Sequence, residues 1–524
     1  MRWDGSIISS VSLREATYLL LGAAFYSLAM PGKITFFSPA SCVALIPLFF
    51  CMRKGAHLWK AAICGLIFGT ISSFFLLNWI SFTVSVYGKL GLFLGILSAL
   101  LLSAYCGIFV SIFSLLTAEA VKRFGKPGIF SAPFFWSGAE IVRVKLKIGF
   151  PWLLFGYSQY GDYYARQFAA FGGVIGTGFF LVLVNVLFYL SLEYFIDGLR
   201  KRSAALFLAA LSTLLFIHLP GFLSRGESFA AADNDSLLVS AIQPNIDLLK
   251  KWDEEFQGET IGILESLTED QVREGVDLII WPETALPFFF YWDAEPTVKI
   301  RSFVKGIGKP VITGVPWYEA RDGGKYFNSI VLISPAGKIA KRYDKIMLVP
   351  FGEYVPFRKV LFFVDKITHG SEDFSRGERV KLLSWGAVNV VPTVCYEAIF
   401  PQLSVEGVNL GGNLLVNLTN DAWFGDTLAP YQQLYMAAYR SVETGRYMVR
   451  VSNSGISAVI DQHGRVEKSI GLFTRGRVMA RVRPLSGMTF YVKNAKFINL
   501  VIISGSIILI GGTIIGRFRN GRNI

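Results

Sequence analysis

Six apolar runs, near residues 13–30, 60–81, 90–117, 168–194, 203–222 and 497–516, are each long enough to cross a hydrocarbon core of roughly 30 Å as a helix. Five of them precede residue 223 and one follows residue 496, leaving a polar middle between two apolar parts. Two shorter runs, 36–52 and 128–142, contain Pro39, Pro47 and Pro133 and read as weaker spans or as buried re-entrant segments. Counting both, the expected organisation is a membrane domain of about seven spans over 1–222, a globular domain over 223–496, and a C-terminal transmembrane helix with a basic tail over 497–524. Composition agrees, because 52% of residues are hydrophobic and only 17% charged, against about 25% charged in soluble proteins.

A formal charge of +13 invites a nucleic-acid reading. The Lys and Arg residues instead fall in short clusters between apolar runs: Arg53/Lys54/Lys60, Lys122/Arg123/Lys126, Arg200/Lys201/Arg202 and Arg517/Arg519/Arg522. With both weak runs spanning, all four clusters share one side of the membrane with the N-terminus, which the bias of short loops makes the cytoplasmic side. The middle domain is then extracytoplasmic, and the loop 143–167 with Arg143, Lys145 and Lys147 is a local exception placed beside it. The first run reads as a retained signal anchor, since cleaving it would change the parity of the spans.

Between 223 and 496 the texture changes to short β-rich runs separated by helix-compatible charged stretches, 254–274 and 431–446. Strands are expected at 237–242, 278–281, 311–315, 387–394, 414–418 and 447–451, most of them continuously apolar, as strands covered on both faces are. Hairpins are expected at 329–341, around Pro335-Ala336-Gly337, and at 457–467, around His463-Gly464. The domain is therefore α/β.

Reactive side chains stand at the ends of these strands. Glu283 ends the run beginning at Asp277, Cys395 ends the run beginning at Val388, and Asn420-Asp421 closes the run beginning at Leu414. In α/β folds the carboxyl ends of buried strands open into a common crevice, so groups distant in sequence converge there. A thiol of ordinary pKa needs a base or a nearby cation to attack. Glu283 can supply the first and Lys345, after the first hairpin, the second. Taken singly, each has a plainer reading: a lone strand-end cysteine is more often a small buried hydrophobe, and a hairpin-end lysine is usually solvated. Cys42, Cys51, Cys64 and Cys106 lie in or beside apolar runs, so the polar part has neither a disulfide framework nor a cysteine zinc site, and His57, His218, His369 and His463 are far apart.

Together, Trp281-Pro282-Glu283, Tyr343-Asp344-Lys345 and Cys395-Tyr396-Glu397 resemble the Glu-Lys-Cys triad of the nitrilase superfamily. Phe351-Gly352-Glu353-Tyr354-Val355-Pro356, Asn420-Asp421-Ala422-Trp423-Phe424-Gly425 and Gln243-Pro244-Asn245 narrow the resemblance to the apolipoprotein N-acyltransferase family. Gly149-Phe150-Pro151-Trp152 and Gly156-Tyr157-Ser158-Gln159 match as well. The resemblance implies an α-helical multi-span membrane domain joined to a nitrilase-like αββα sandwich. It also implies a ping-pong transfer: Cys395 takes an acyl chain from a membrane phospholipid, and the α-amine of a diacylglyceryl-cysteine apolipoprotein then attacks the thioester. Glu283 would be the base of both halves and Lys345, with the backbone N–H of Tyr396, the oxyanion partner. By the same resemblance Glu353 is a second acid near the triad, and Tyr396, Glu397, Trp252 and Trp423 line or gate the lipid site. Trp152 and Tyr157 are expected near the membrane interface. The implied setting is the inner membrane with the catalytic domain on the periplasmic side, with a monomer, no cofactor, no metal and no nucleic acid.

The run Pro287 to Trp292 is apolar enough to require burial or lipid. Core packing is its default, and bilayer contact, shared with 355–364 and its Phe357, Phe362 and Phe363, is the alternative expectation. A site near the membrane follows from energetics, since each methylene exposed to water costs about 0.8 kcal/mol. Two rivals stand beside this reading: a membrane-tethered amidohydrolase using water with the same triad, and a transporter with an outer binding domain. Transport usually requires ionisable groups in mid-membrane, and the firm spans carry few.

Overall fold

The computed structural model describes residues 11–33, 37–53, 55–146, 148–224, 236–248, 250–290, 294–320, 324–356 and 373–520. Phe357, Phe362 and Phe363, and with them most of the expected lipid-touching stretch 355–364, lie outside the described residues, as do Tyr291 and Trp292. The chain forms two compact units, one of Met1–Ser85, Leu90–Gly226 and Asn494–Ile524, the other of Val86–Lys89 and Glu227–Lys493.

The first unit contains α1 (Leu13–Ala29), α2 (Ile46–Phe50), α3 (Leu58–Leu77), α4 (Trp79–Phe82), α5 (Gly91–Phe124), α6 (Ala132–Lys145), α7 (Tyr163–Arg166), α8 (Ala169–Ile196) and α9 (Arg200–Leu223). Among the described residues five helices are long and apolar enough to cross a membrane: α3, α5, α8, α9 and the closing helix that begins at Phe490. Large side chains on the outer ones point outward, as Phe93 and Leu101 do on α5 and Leu208 and Leu215 on α9, which suits helices bathed in lipid rather than water, whereas α8 is mostly buried inside the unit.

The two proline-bearing runs behave differently from the rest. Pro39, Pro47 and Pro133 each occupy the first turn of a helix, where a missing N–H costs nothing, so proline starts a helix here rather than interrupting one. Two starts within 36–52 leave only a 3₁₀ turn, Ser38–Cys42, and the five-residue α2. The irregular backbone between them is satisfied from inside the unit. Asn185, fully buried on α8, accepts from Leu45 N–H (2.9 Å) and donates to Ser41 C=O (2.8 Å). Broken backbone inside a membrane domain survives only with such partners. The second run forms α6, whose 14 residues extend about 21 Å. Trp152 and Tyr157 are 3% and 0% exposed; Trp152 packs against Trp79 and stacks on Phe150.

Among the described residues the second unit has twelve strands in two six-stranded sheets. The first contains β1 (Leu237–Gln243), β2 (Leu278–Ile280), β3 (Val311–Glu319), β4 (Lys325–Ile333), β5 (Ile339–Asp344) and β12 (Gly476–Val482), in the order β12-β1-β2-β3-β4-β5. The second contains β6 (Leu383–Trp385), β7 (Val388–Val394), β8 (Leu414–Thr419), β9 (Met448–Ser452), β10 (Ser457–Ile460) and β11 (Val466–Ile470), in the order β11-β10-β9-β8-β7-β6. The helices α10 (Glu254–Arg273), α11 (Ala294–Ile307), α12 (Pro401–Asn409) and α13 (Ala429–Thr444) complete it, followed by α14 (Phe490–Asn520), the closing helix.

The continuously apolar strands explain the layering. On β2, Leu278 and Ile280 face a core shared with Val390, Leu414, Val416 and Val449 of the other sheet, while Ile279 and Trp281 face a core shared with Leu264 of α10 and Ile300 of α11. The two-residue period thus sends alternate side chains to the inter-sheet layer and to the helix layer. The αββα sandwich expected from the resemblance is what forms.

Phe288 and Phe290 belong to the helix-side core at 4% and 0% exposure, and Phe290 N–H is held by Pro316 C=O (3.2 Å). The alternative expectation of bilayer contact is therefore overturned for these two rings, which pack inward against β3 as the default had it. Phe290→Ala is expected to destabilise the protein by about 3–5 kcal/mol, seen as a lowered melting temperature in detergent. An unchanged melting temperature would return the ring to a surface role.

Candidate active site

β2 delivers Glu283. The strand's ladder continues through Trp281 N–H to Ile312 C=O (2.8 Å), and Pro282 C=O accepts from Gly314 N–H (3.1 Å). The chain then turns sharply at Thr284, a β-branched residue at φ 44°, a conformation such residues rarely adopt. Gly314 makes room for this turn, because a Cβ there would lie 2.5 Å from Thr284 N and 2.7 Å from Glu283 Cα. Gly314→Ala should push the carboxylate-bearing turn off the strand, and activity should fall about 100-fold, the effect of a displacement near 1 Å; kinetics matching the parent would show that the turn tolerates the shift.

Lys345 follows β5, and its backbone N–H is bound by Asn328 C=O (2.9 Å) on β4. The side chain is 1% exposed, which overturns the solvated reading of a hairpin-end lysine. Its Nζ lies 2.9 Å from Glu353 and 3.7 Å from Glu283 Oε1. Desolvation works to lower its pKa, but the Glu353 and Glu283 carboxylates outweigh that and hold the ammonium charged. Glu353 takes a further N–H from Val349 (2.8 Å).

Cys395 begins the turn after β7 at φ 48°, 9% exposed. Its carbonyl is within 3.4 Å of Asn417 Nδ2, and Gln433 Nε2 donates to Sγ at 3.7 Å. Burial first, then the charge of Glu283, push the thiol up to about 12, with Lys345 opposing. At rest the sulfur therefore keeps its proton. Glu283 is itself raised above the ordinary carboxylate range, by burial more than by Glu353, against Lys345 and the Asn328 amide. A carboxylate raised in this way is a better proton acceptor near neutrality.

Glu397 does not line a lipid surface. It is 0% exposed and accepts from the backbone N–H groups of Ile346 (2.6 Å), Met347 (3.0 Å) and Val394 (2.8 Å), and from the Tyr343 hydroxyl (2.9 Å). One carboxylate thus ties the residue after Lys345 to the residue before Cys395. Asp421 is likewise structural, buried in an ion pair with Arg450 (2.7 Å). Tyr396 is 6% exposed with its ring edge-on to Phe400. Trp252 is 41% exposed, and Trp423 is half-buried with its ring against Tyr87.

Three side chains at the site escaped the sequence reading. Asn328 Nδ2 donates both to Glu283 Oε1 (2.8 Å) and to Glu353 Oε1 (2.9 Å). Its only sequence signal was its place, beside Ser329, in the polar half of a hairpin strand. Gln433, on α13, and Lys251, buried in the loop after β1, carried none, since the first sits in a helix and the second beside another lysine.

The carbon-nitrogen hydrolase family model matches residues 238–486, and the model of the apolipoprotein N-acyltransferase N-terminal domain matches residues 22–187. The apolipoprotein N-acyltransferase of Geobacter metallireducens is 34% identical, over 95% of this chain and 95% of its own length. That of Methylococcus capsulatus is 34% identical, over 88% of this chain and 91% of its own. Among solved structures, an amidase from Nesterenkonia sp. is 16% identical, covering 52% of this chain and 98% of its own, with a TM-score of 0.37.

Proposed function

Because this chain belongs to the apolipoprotein N-acyltransferase family, an acyltransferase family of lipoprotein maturation, we propose that it works in two halves through a thioester on Cys395. The observation that carries this reading is a buried thiol on which Glu283 and Lys345 act, with Glu353 paired to that lysine.

In the first half Sγ attacks the ester carbon of a phospholipid acyl chain while Glu283 accepts the thiol proton. The C–O bond breaks, Glu283 returns the proton to the departing glycerol oxygen, and the thioester remains. In the second half Glu283 takes a proton from the ammonium group of a diacylglyceryl-cysteine N-terminus. The freed amine attacks the thioester carbon, the C–S bond breaks, the second proton on nitrogen passes to the Cys395 sulfur as the amide forms, and Glu283 releases its proton to solvent. Lys345 stabilises the oxyanion of each tetrahedral intermediate. Glu353 and Asn328 keep that ammonium and the Glu283 carboxylate in register.

Several helices are long and apolar enough to span a membrane, as suits a membrane protein. In this proposal residues 223–496 form the catalytic domain on the periplasmic side of the inner membrane, and Trp252, Trp423 and Tyr396 meet the acyl chains.

The test incubates the detergent-solubilised chain with phospholipid labelled in its acyl chain, with and without a diacylglyceryl-cysteine peptide. Label should move to the peptide α-amine as an amide. Release of labelled fatty acid alone, equal with and without peptide, would make the protein a hydrolase and overturn the proposal.

A further inference from the structure

Lys251 is a buried cation that the reaction scheme leaves unused. It is 1% exposed, in the loop between β1 and α10, and among the described residues its Nζ makes no ion pair within 4 Å. It donates instead to two neutral oxygens, the Glu283 carbonyl (3.2 Å) and Thr284 Oγ1 (2.8 Å). Those oxygens bracket the strained turn at φ 44° that presents the Glu283 carboxylate. Burying an ammonium without a carboxylate partner is costly, so its placement beside one functional turn calls for a function.

We propose that Lys251 is a positioning residue for the proton acceptor: its ammonium clamps the Glu283–Thr284 turn that presents the carboxylate to the Cys395 proton. The inference rests on the reading of Glu283 as the base.

Two contributions follow from the geometry, and they are separable. The hydrogen bonds hold a backbone conformation that a β-branched residue adopts only under constraint. The charge acts through space on Glu283, whose other neighbours are Lys345 at 3.7 Å, the Asn328 amide at 2.8 Å, and Glu353, which opposes them. Desolvation lowers Lys251 to about 8, with the Glu283 charge opposing, so it remains a cation at neutral pH and below.

The sign of the effect is fixed. Removing a positive charge near Glu283 disfavours its anion and raises its pKa. The acid limb of Cys395 acylation must then move to higher pH. A lysine that merely filled space would lower the plateau and leave the limb where it was.

The experiment measures single-turnover acylation of the full-length protein in detergent by labelled phospholipid, read as hydroxylamine-labile label, across a pH series. Lys251→Met is expected to lower the plateau about tenfold or more and to shift the acid limb upward. Lys251→Arg, which keeps the charge, should retain the parent limb. Thr284→Val, which removes one acceptor and no charge, should lower the plateau with the limb unmoved. The limb position is independent of how much of a variant is folded, so partial misfolding does not mask the result. A limb unmoved in Lys251→Met, or one that moves in Thr284→Val, overturns the proposal. Absence of any adduct on the unsubstituted protein would instead overturn the thioester reading itself.

Discussion

Cys395→Ala is expected to carry no acyl adduct after exposure to phospholipid, where the unsubstituted protein gains the mass of one acyl chain that hydroxylamine removes. Transfer to a diacylated peptide should fall by about 10⁴ or more, the scale on which removal of a covalent nucleophile acts. The reason is local. The thiol is 9% exposed at a strained strand end, with burial pushing it up to about 12. Alanine at that position preserves the packing against Val394 and the second sheet while deleting the only atom that can form the thioester. The other four cysteines, Cys42, Cys51, Cys64 and Cys106, belong to the helical unit and should remain unlabelled. Intact mass spectrometry decides the matter, and an adduct that persists in Cys395→Ala would place the acyl chain elsewhere.

The second large effect is expected from Glu397→Gln, a substitution that changes neither size nor shape. Every hydrogen bond described at the Glu397 carboxylate is received, from Ile346 and Met347 N–H on one oxygen, Val394 N–H on the other, and the Tyr343 hydroxyl on both. Burial pushes this carboxyl up to about 7, while those backbone donors favour its charged form. A glutamine must turn its NH₂ towards at least one N–H. The least harmful orientation leaves Val394 N–H facing another donor, and an unsatisfied buried donor costs about 1–3 kcal/mol. Val394 precedes Cys395 and Ile346 follows Lys345, so the strain falls on the spacing between thiol and ammonium. A loss of about 100-fold in acylation rate is expected, with a moderate drop in melting temperature. A variant that acylates at the parent rate would show that the protonated form of Glu397 suffices.

Much of this protein was legible before any coordinate. Five of the six longer runs return as helices long and apolar enough to span, because a helix in lipid must be apolar throughout, a local and additive property; the first, α1, has 17 residues and is not among them. Six strands could be read for a related reason: a strand covered on both faces is mostly apolar, so β1, β2, β3, β7, β8 and β9 stand out as short, largely apolar runs. Both hairpins followed from their turns, where Gly337 and Gly464 adopt positive φ.

What tertiary structure alone decided is which polar groups meet. Asn328 reaches Glu283 and Glu353 because the register of β4 against β5 aligns Ser329 with Asp344, bringing the next residues, Asn328 and Lys345, together. Glu397 binds Val394 three residues away and Ile346 fifty-one residues away, a link that only the facing of two sheets can create. The same holds for the inward turn of Phe288 and Phe290 and for the support that Asn185 gives the broken segment at Ser41 and Leu45. Hydrophobicity is summed along the chain and is visible in it. Hydrogen bonds and ion pairs depend on distances of a few ångströms between remote residues, and these are set only when register, strand order and layer packing have been satisfied together.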